Sequence, residues 1–392
     1  MDLEKIRADI SADVVHLNNC GAGLMPQPVL DAVIEHLRRE VAIGGYEAAR
    51  EALPTIEHTY DAIAEMLNCQ AGEIAVMENA TVAWDMAFYG FPLEPGDVVL
   101  TAMAEYASNY IAYLQRAARD GIEIRVVPND EHGQTDVAAL ANMIDDRVKL
   151  ISITHAPTNG GLINPAAEIG KVARDAGVLY LLDACQTAGQ MPLDVEAIGC
   201  DFLSATGRKY LRGPRGTGFL YVRAAMLDTL DPPVLDLHSA KWTAPGRYEM
   251  LPDARRFENW ENYIAGKIGL GVAVDYALAI GLEAIARRVQ TLADELRLRM
   301  AGIPGVRVND LGLHKSGIIS FSVRDKDPQK VLEIMETAGI NISISAAGST
   351  LLDMQQRDIA IMNRLGLHYY NTTEELNYFV ETLSHIAGDF NR

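Results

Sequence analysis

The sequence predicts an α/β protein: a large domain with a mostly parallel central sheet, followed by a smaller C-terminal α+β domain. Three observations carry this. Short, almost wholly apolar runs alternate with helical patterns between residues 80 and 222, as in a sheet buried on both faces. After about Glu258 the texture changes to one long helical stretch and then a short mixed segment. And 392 residues suffice for two domains at roughly 100–200 residues each.

The elements follow in order. Residues 1–15 read as an N-terminal arm or short helix. A polar, Gly-rich turn, His16 to Pro26, precedes a helix near Val29–Val41, whose apolar residues recur every three or four positions. A second helix fits Ile56–Leu67. The strand-like runs are Val98–Thr101, Ile122–Val127, Leu150–Thr154, Val178–Asp183, Phe202–Ala205 and Gly218–Val222. Helical patterns lie at Ala80–Phe88, Ser108–Ala118, Val137–Met143 and Ala166–Ala176. A long helical stretch is expected from Ala265 to about Ala301. After it come strands near Ile318–Val323, Asn341–Ser345 and Ile361–Leu367, and helices near Pro328–Ala338 and Thr372–Ile386. The expected division is 1–15 arm, 16–264 large domain, and 265–392 linking helix with the small domain.

Composition narrows the function classes. Hydrophobic residues make up 49% and charged residues 22%, which excludes disordered and low-complexity chains. The net charge, 34 − 53 = −19, repels nucleic acid and anionic membrane surfaces. Any anionic ligand must be gripped by a local site. The four cysteines, Cys20, Cys69, Cys185 and Cys200, contain no Cys-x-x-Cys, so reduced thiols are expected and no metal site or disulfide scaffold. The N-terminus has no apolar core of a signal peptide, and no run of 18 apolar residues exists; a cytoplasmic chain is expected.

The most informative stretch runs from Asp183 to Gly218. Asp183 ends an apolar strand, which sets a carboxylate at the mouth of a parallel sheet, where ligands bind. A second strand runs into Thr206-Gly-Arg-Lys209, and a Gly-rich loop, Gly213-Pro-Arg-Gly-Thr-Gly218, follows. An Asp and a Lys on neighbouring strand ends suit pyridoxal phosphate chemistry: the Lys forms a Schiff base, and the Asp keeps the ring nitrogen protonated. On those two residues alone, an ordinary strand-end Asp and a surface Lys would look the same.

Asp183-Ala-Cys-Gln186, Thr206-Gly-Arg-Lys209 and Gly213-Pro-Arg-Gly-Thr-Gly218 together resemble the class V aminotransferase family, within the fold-type I pyridoxal phosphate enzymes. That family includes cysteine desulfurases, selenocysteine lyases, isopenicillin N epimerase and cysteine C–S lyases. The resemblance extends over nearly the whole chain. It implies pyridoxal 5′-phosphate as cofactor, an amino-acid substrate and a homodimer. It implies Lys209 as the Schiff-base lysine, Asp183 as the partner of the ring nitrogen, and Gln186 on the phenolic oxygen. Arg208 takes the place of a phosphate-contacting His, a reasonable exchange for a guanidinium fork, and Thr206 adds a hydroxyl.

Further motifs extend the match. Asn79-Ala80-Thr81 opens a helix; Thr81 and the backbone of Ala80 are phosphate candidates, since free N–H groups there favour an anion. Tyr106 falls where the family has a ring-stacking His, and is expected to stack on the cofactor. His155-Ala-Pro-Thr158-Asn159 resembles a family motif whose Asn falls on Thr158, with Asn159 one step away; either is a candidate to face the cofactor or substrate. His155 is open between an acid–base and a structural role. Arg364, in a stretch matching Arg-x6-Asn-Thr-x-Glu-Glu, is implied as the clamp on the substrate α-carboxylate, through a bidentate fork.

Two departures stand out. Cysteine desulfurases carry a nucleophilic Cys on a small-domain loop. The corresponding stretch here, Ser343 to Leu352, has none, so a persulfide at that position is excluded. Cys20 is expected to line the substrate side. Where many relatives have a Gly-Thr that reaches the partner subunit's cofactor phosphate, this chain has Trp260-Glu261. Asn262 or Tyr263 would have to make that contact, or it is absent. The resemblance implies chemistry through an external aldimine and a quinonoid. The reading leans to β-elimination from a cysteine-derived substrate. An aminotransferase or epimerase of a secondary-metabolite pathway is the alternative. A non-enzymatic binding protein on the same fold is the alternative of another class.

Overall fold

A computed structural model describes residues 1–388 of the chain; residues 389–392 of the expected C-terminal domain lie outside the described residues. Seven strands form the larger sheet: β1 (Ile74–Met77), β2 (Val98–Ala102), β3 (Glu123–Val127), β4 (Val148–Thr154), β5 (Leu179–Asp183), β6 (Phe202–Thr206) and β7 (Gly218–Val222). Their order is β1-β7-β6-β5-β4-β2-β3. Strand β7 runs antiparallel to both neighbours and the others pair in parallel.

The largely apolar character of the inner strands has a direct cause. In β5, Tyr180 and Leu182 enter one apolar cluster and Leu181 the other; in β7, Phe219 and Tyr221 oppose Leu220 and Val222. These two strands are therefore covered on both faces, which favours apolar side chains along their whole length. Strand β1 escaped the sequence reading. Four apolar residues, all buried, carry no period that separates a strand from a helix. The short helix Gly45–Glu51 and the exposed hairpin Ala240–Ala244/Arg247–Met250, both largely polar, also lay outside the sequence reading.

The second sheet is antiparallel, in the order β8-β9-β11-β10, with β8 (Val306–Val308), β9 (Ile318–Val323), β10 (Ser343–Ala346) and β11 (Ile361–Gly366). Helices Leu282–Ala301, Pro328–Thr337 and Thr373–Gly388 cover it, and Leu296, Phe321, Leu365 and Phe379 centre its core. The N-terminal segment joins this sheet's surroundings: Val15–His16 pairs in parallel with Ile340–Asn341, and Leu17 enters the same core. The expected strand Asn341–Ser345 is thus two, one pairing with the N-terminus and one lying in the sheet.

The expected long helical stretch from 265 to 301 is also two, Ile264–Ile280 and Leu282–Ala301, bent by 78°. Gly281 makes the break, with φ 90° and ψ 120°, a conformation that a side chain makes costly. Among the described residues, no single helix is long and apolar enough to cross a membrane. Gly281→Ala tests the break. A Cβ there meets no atom within 4 Å, so backbone strain alone acts, at about 1–3 kcal/mol. The urea midpoint should fall with the slope unchanged; an unchanged midpoint would show that the chain accommodates the bend without glycine.

Candidate active site

The strand order reverses between β4 and β2, and ligands of open α/β sheets bind beyond the C-terminal strand ends at such a point. Parallel register brings the ends together there: Thr154 of β4 lies beside Asp183 of β5, and Asp183 beside Ser204 of β6. A cavity of about 500 Å3 opens at this edge. Ala80, Thr81, Tyr106, Thr158, Asp183, Gln186, Thr206, Arg208 and Lys209 all line it. A second cleft, of about 590 Å3, lies among the helices Gln27–Ile43, Gly45–Glu51, Leu53–Leu67 and Ile264–Ile280, and none of these residues lines it.

One end of the cavity suits an anion. Asn79 caps the helix Ala80–Gly90 by accepting from Val82 N at 3.0 Å, which leaves the first N–H groups for another acceptor. Arg208 donates through Nη1 to Gly21 O at 2.8 Å; among the described residues its other guanidinium nitrogens have no protein partner. Thr206 lies at the end of β6, next to this pair.

Asp183 is buried. Its Oδ1 accepts from Cys185 N at 2.9 Å and its Oδ2 from Asn109 Nδ2 at 3.1 Å. Asn109 is shared with a second buried carboxylate, Glu105, at 2.8 Å. Burial pushes Glu105 up to about 7, against the hydrogen bonds from Thr154, Asn109 and Tyr106 N, and with the charge of Asp183 adding to the rise. Neither Glu105 nor Asn109 was assigned a role from the sequence, although both lie in a stretch the resemblance covered. A Glu one residue before an aromatic reads as a surface charge until the sheet order places it at the crevice.

Lys209 follows β6 on a tight turn and is half-buried in the wall of the cavity. Burial pushes its amine below the ordinary lysine value, with the Arg208 and Arg364 charges acting in the same direction and Cys185 and Asp183 against. The N-terminal turn lies directly against this segment. Gly23 N donates to Arg208 O at 2.8 Å, and a Cβ on Gly23 would stand 2.5 Å from Lys209 O. Only glycine permits that approach.

Opposite, Arg364 on β11 reaches across from the second sheet. Its Nη1 donates to Thr158 O at 2.9 Å and to Thr158 Oγ1 at 2.7 Å, and its Nε to Ser343 Oγ at 3.1 Å. Asn159 does not line the cavity. Its Nδ2 donates to Thr350 Oγ1 at 2.7 Å, which ties this loop to the helix Leu351–Gln356, so Thr158 is the residue of the pair that faces inward. The Cys20 side chain does not line the cavity either. It packs with Tyr210 and Ile318, and only its carbonyl bears on the site, accepting from Gln186 Nε2 at 3.1 Å. His155 is fully buried beside Thr187 Oγ1 and pushed down to about 4, so at neutral pH it is an uncharged structural residue. Residues 260–263 stand outside this chain's cavity.

Cys185 lines the cavity beside Asp183 and Lys209 and was not singled out in the sequence. Burial holds its thiol well above the usual range, so it is protonated at neutral pH. The stretch 343–352 folds as β10, a single turn at Ala347–Ser349 and the start of a helix, without a thiol.

The residues fit pyridoxal 5′-phosphate. An anion cradle, an amine, a buried carboxylate and an exposed-edge aromatic converge on one cavity. Gln186 Oε1 is buried with no hydrogen-bond partner, and a phenolic hydroxyl supplies the missing donor.

The sequence profile of "Aminotransferase class-V" matches residues 15–379. A probable cysteine desulfurase of Methanothermobacter thermautotrophicus is 32% identical, over 99% of each chain. A probable cysteine desulfurase of Pyrococcus abyssi is 27% identical, over 98% of this chain and 97% of its own. Among solved structures, the apo cysteine desulfurase of Thermococcus onnurineus superposes with a TM-score of 0.93 at 26% identity, covering 99% of this chain and 98% of that one. The cystine C–S lyase C-DES, in complex with its product cysteine persulfide, has a TM-score of 0.85 at 24% identity, over 95% and 98%, and shows the fold.

The amine in the cavity makes a chemical prediction. Borohydride reduction of the protein loaded with pyridoxal 5′-phosphate should place the pyridoxyl group on Lys209, read by peptide mass spectrometry, and Lys209→Ala should lose it. Labelling of Lys171, Lys241 or Lys267 instead would refute the placement.

Proposed function

The chain belongs to the class-V aminotransferase family of pyridoxal-phosphate-dependent enzymes, and from that premise we propose that it cleaves the Cβ–S bond of a cysteine-derived amino acid by β-elimination, without a protein-bound persulfide. The observation that carries the reading is the placement of the thiols. No cysteine stands between Ser343 and Leu352, and the thiol that lines the cavity, Cys185, is held protonated by burial. A thiol, unlike a thiolate, is a poor nucleophile towards sulfur. The relatives named cysteine desulfurase support sulfur amino acids as the substrate class.

Thr206, Arg208, Thr81 and the N–H of Ala80 would hold the cofactor's phosphate, Asp183 its ring nitrogen, Gln186 its phenolic oxygen, Tyr106 one ring face, and Lys209 its aldehyde carbon. Once bound, the cofactor supplies an electron-withdrawing ring that stabilises negative charge at an amino acid's Cα. Arg364 would hold the substrate carboxylate, trading its bonds to Thr158 for a bidentate pair. The Lys209 amine, whose pKa burial lowers from the ordinary lysine value, would take the Cα proton. The Cβ–S bond then breaks with its electron pair leaving on sulfur as a thiolate, and hydrolysis of the remaining three-carbon fragment gives pyruvate and ammonium. No oxidant or reductant enters.

The same proposal includes a homodimer. Val41, Tyr46 and Leu53 stand exposed on consecutive helices, and exposed large apolar side chains suit a contact surface. A second copy is the occupant we assign to it. Light scattering giving a monomer mass would remove this part.

The deciding experiment incubates the loaded enzyme with cysteine, cystine and S-alkyl cysteines and quantifies products. Pyruvate and ammonium in equal amounts are expected. Alanine accompanied by a protein persulfide would overturn the reading in favour of desulfuration.

Two substitutions test the roles. Asp183→Asn should retain cofactor and lose most turnover, because an amide cannot hold the ring-nitrogen proton; near-normal turnover would contradict the assignment. Arg364→Ala should weaken binding of an unreactive amino acid by about 30-fold to several thousand-fold, from roughly 2–5 kcal/mol for a charge pair left unpaired. Arg364→Lys should restore part of it, lacking the fork. The check is titration of the cofactor's absorption band, with the corresponding decarboxylated amine as control. Loss of cofactor with the carboxylate preference intact would place the clamp elsewhere.

A further inference from the structure

Glu105 is the most heavily hydrogen-bonded buried carboxylate around the cavity, and it touches neither the cavity nor any ligand position. Its Oε1 accepts from Tyr106 N at 3.0 Å, Asn109 Nδ2 at 2.8 Å and Thr154 Oγ1 at 2.5 Å. Its Oε2 accepts from Thr101 Oγ1 and Thr154 N, both at 3.1 Å. These donors come from the end of β2, the end of β4 and the first turn of the helix Ala107–Asp120. They are the walls of the crevice where the strand order reverses. Through Asn109, whose amide nitrogen also reaches Asp183 Oδ2 at 3.1 Å, the network continues to β5.

A single –NH2 group therefore joins two carboxylates that are 3% and 5% exposed. Two adjacent buried anions repel strongly, and one of them resists ionisation until a positive charge arrives. The titratable groups facing Glu105 are Asp183 on β5, Tyr113 on the neighbouring helix and Tyr180 on β5. Burial holds both phenols well above their ordinary value, so they stay neutral. No cation among the described residues pairs with either carboxylate through a salt bridge. Lys209 acts on Asp183 across the cavity without a salt bridge, and a cation in direct contact is what a protonated ring nitrogen would bring to Asp183.

We propose that Glu105 is a positioning residue that, through Asn109, orients Asp183 towards the cofactor's ring nitrogen and gives up its own proton when the cofactor binds. The proposal rests on the reading of Asp183 given above. Its proton balance is closed: the proton lost from Glu105 leaves for solvent or offsets the one taken up by the ring nitrogen. The sign follows from charge. A cation beside Asp183 cancels the repulsion that kept Glu105 protonated, so its pKa falls on loading and proton uptake from solvent is reduced.

The experiment compares cofactor loading of the full-length apoprotein by calorimetry in buffers of different ionisation enthalpy, which counts protons. With Glu105 near 7 before loading, the wild type should take up about half a proton less per site at pH 7 than Glu105→Gln, which cannot release one. Contributions from the phosphate and from Lys209 are common to both proteins. Asn109→Ala keeps four of the five donors to Glu105 and covers the case in which Glu105→Gln does not fold. Losing a donor to the ionised form should move the half-release pH upward relative to wild type. Equal proton counts in wild type and Glu105→Gln, or an unmoved half-release pH in Asn109→Ala, would overturn the proposal.

Asp183→Asn separates the two readings through the absorption band of the bound cofactor. If that band keeps its wild-type position and pH dependence, the role of Asp183 fails. If it moves in Asp183→Asn while Glu105→Gln counts protons like wild type, only the role of Glu105 fails.

Discussion

Satisfying a carboxylate buried at the end of an apolar sheet is the constraint on which the rest of the site depends. Asp183 stands where β5 leaves the core, with Tyr180 to Leu182 packed dry on both faces just before it. A carboxylate without hydrogen-bond partners would be costly there. Its neighbours prevent this with a backbone N–H from Cys185 and an amide from Asn109. The parallel register decides which neighbours are available, because only the ends of β4, β6 and the helix after β2 come within reach. The architecture and the electrostatics of the cavity are the same fact seen at two scales.

The lysine side of the cavity is held by interlocking rather than by charge pairs. Arg212, three residues past Lys209, is buried with a positive φ of 61° and no carboxylate partner among the described residues. Its cation is met by Leu24 O at 2.6 Å, by Tyr369 Oη at 2.8 Å and by the faces of Tyr276, Tyr369 and Tyr370. His368 accepts from Tyr369 N at Nδ1, so its Nε2 carries the proton that it donates to Tyr210 O at 3.0 Å. Burial and the nearby Arg212 charge keep that ring neutral. The loop bearing Lys209 is thus clasped between the N-terminal turn and the segment after β11. A movement of the second sheet acts on the lysine as well as on Arg364.

Much of this was legible in the sequence because it is local. Asp183, Lys209 and the Gly-rich loop are legible since strand ends and tight turns leave short-range signatures, and the structure gathers the residues assigned to the cofactor around one cavity. What stayed hidden is what depends on register or on a single backbone angle. Glu105 and Asn109 need the β2–β4 crossing before they meet Asp183. The break at Gly281 is one residue in a pattern that stays helical on both sides. Asn159 lies one step from Thr158, which lines the cavity, but its own side chain turns away to Thr350. The Cys20 carbonyl reaches Gln186 while its thiol turns to Tyr210.

The same logic bears on the chemistry. A persulfide route needs a mobile thiolate that meets the substrate sulfur from the open side of the cavity. Here the segment that would carry it is a strand followed at once by a single turn and a helix, and Asn159 fastens that helix start through Thr350. The thiol that remains in the cavity sits low, between Asp183 and Gln186 in the chain, and burial beside a carboxylate keeps its proton on. Supplying a thiolate would require lifting Cys185 out of the strand-end turn whose N–H holds Asp183 in place. The residue that could act as nucleophile is therefore committed, through its backbone, to the carboxylate on which the cofactor's chemistry depends. Elimination makes no such demand: its sulfur leaves with the electron pair already in the Cβ–S bond, and the only protein group that must move a proton is the lysine already in the cavity.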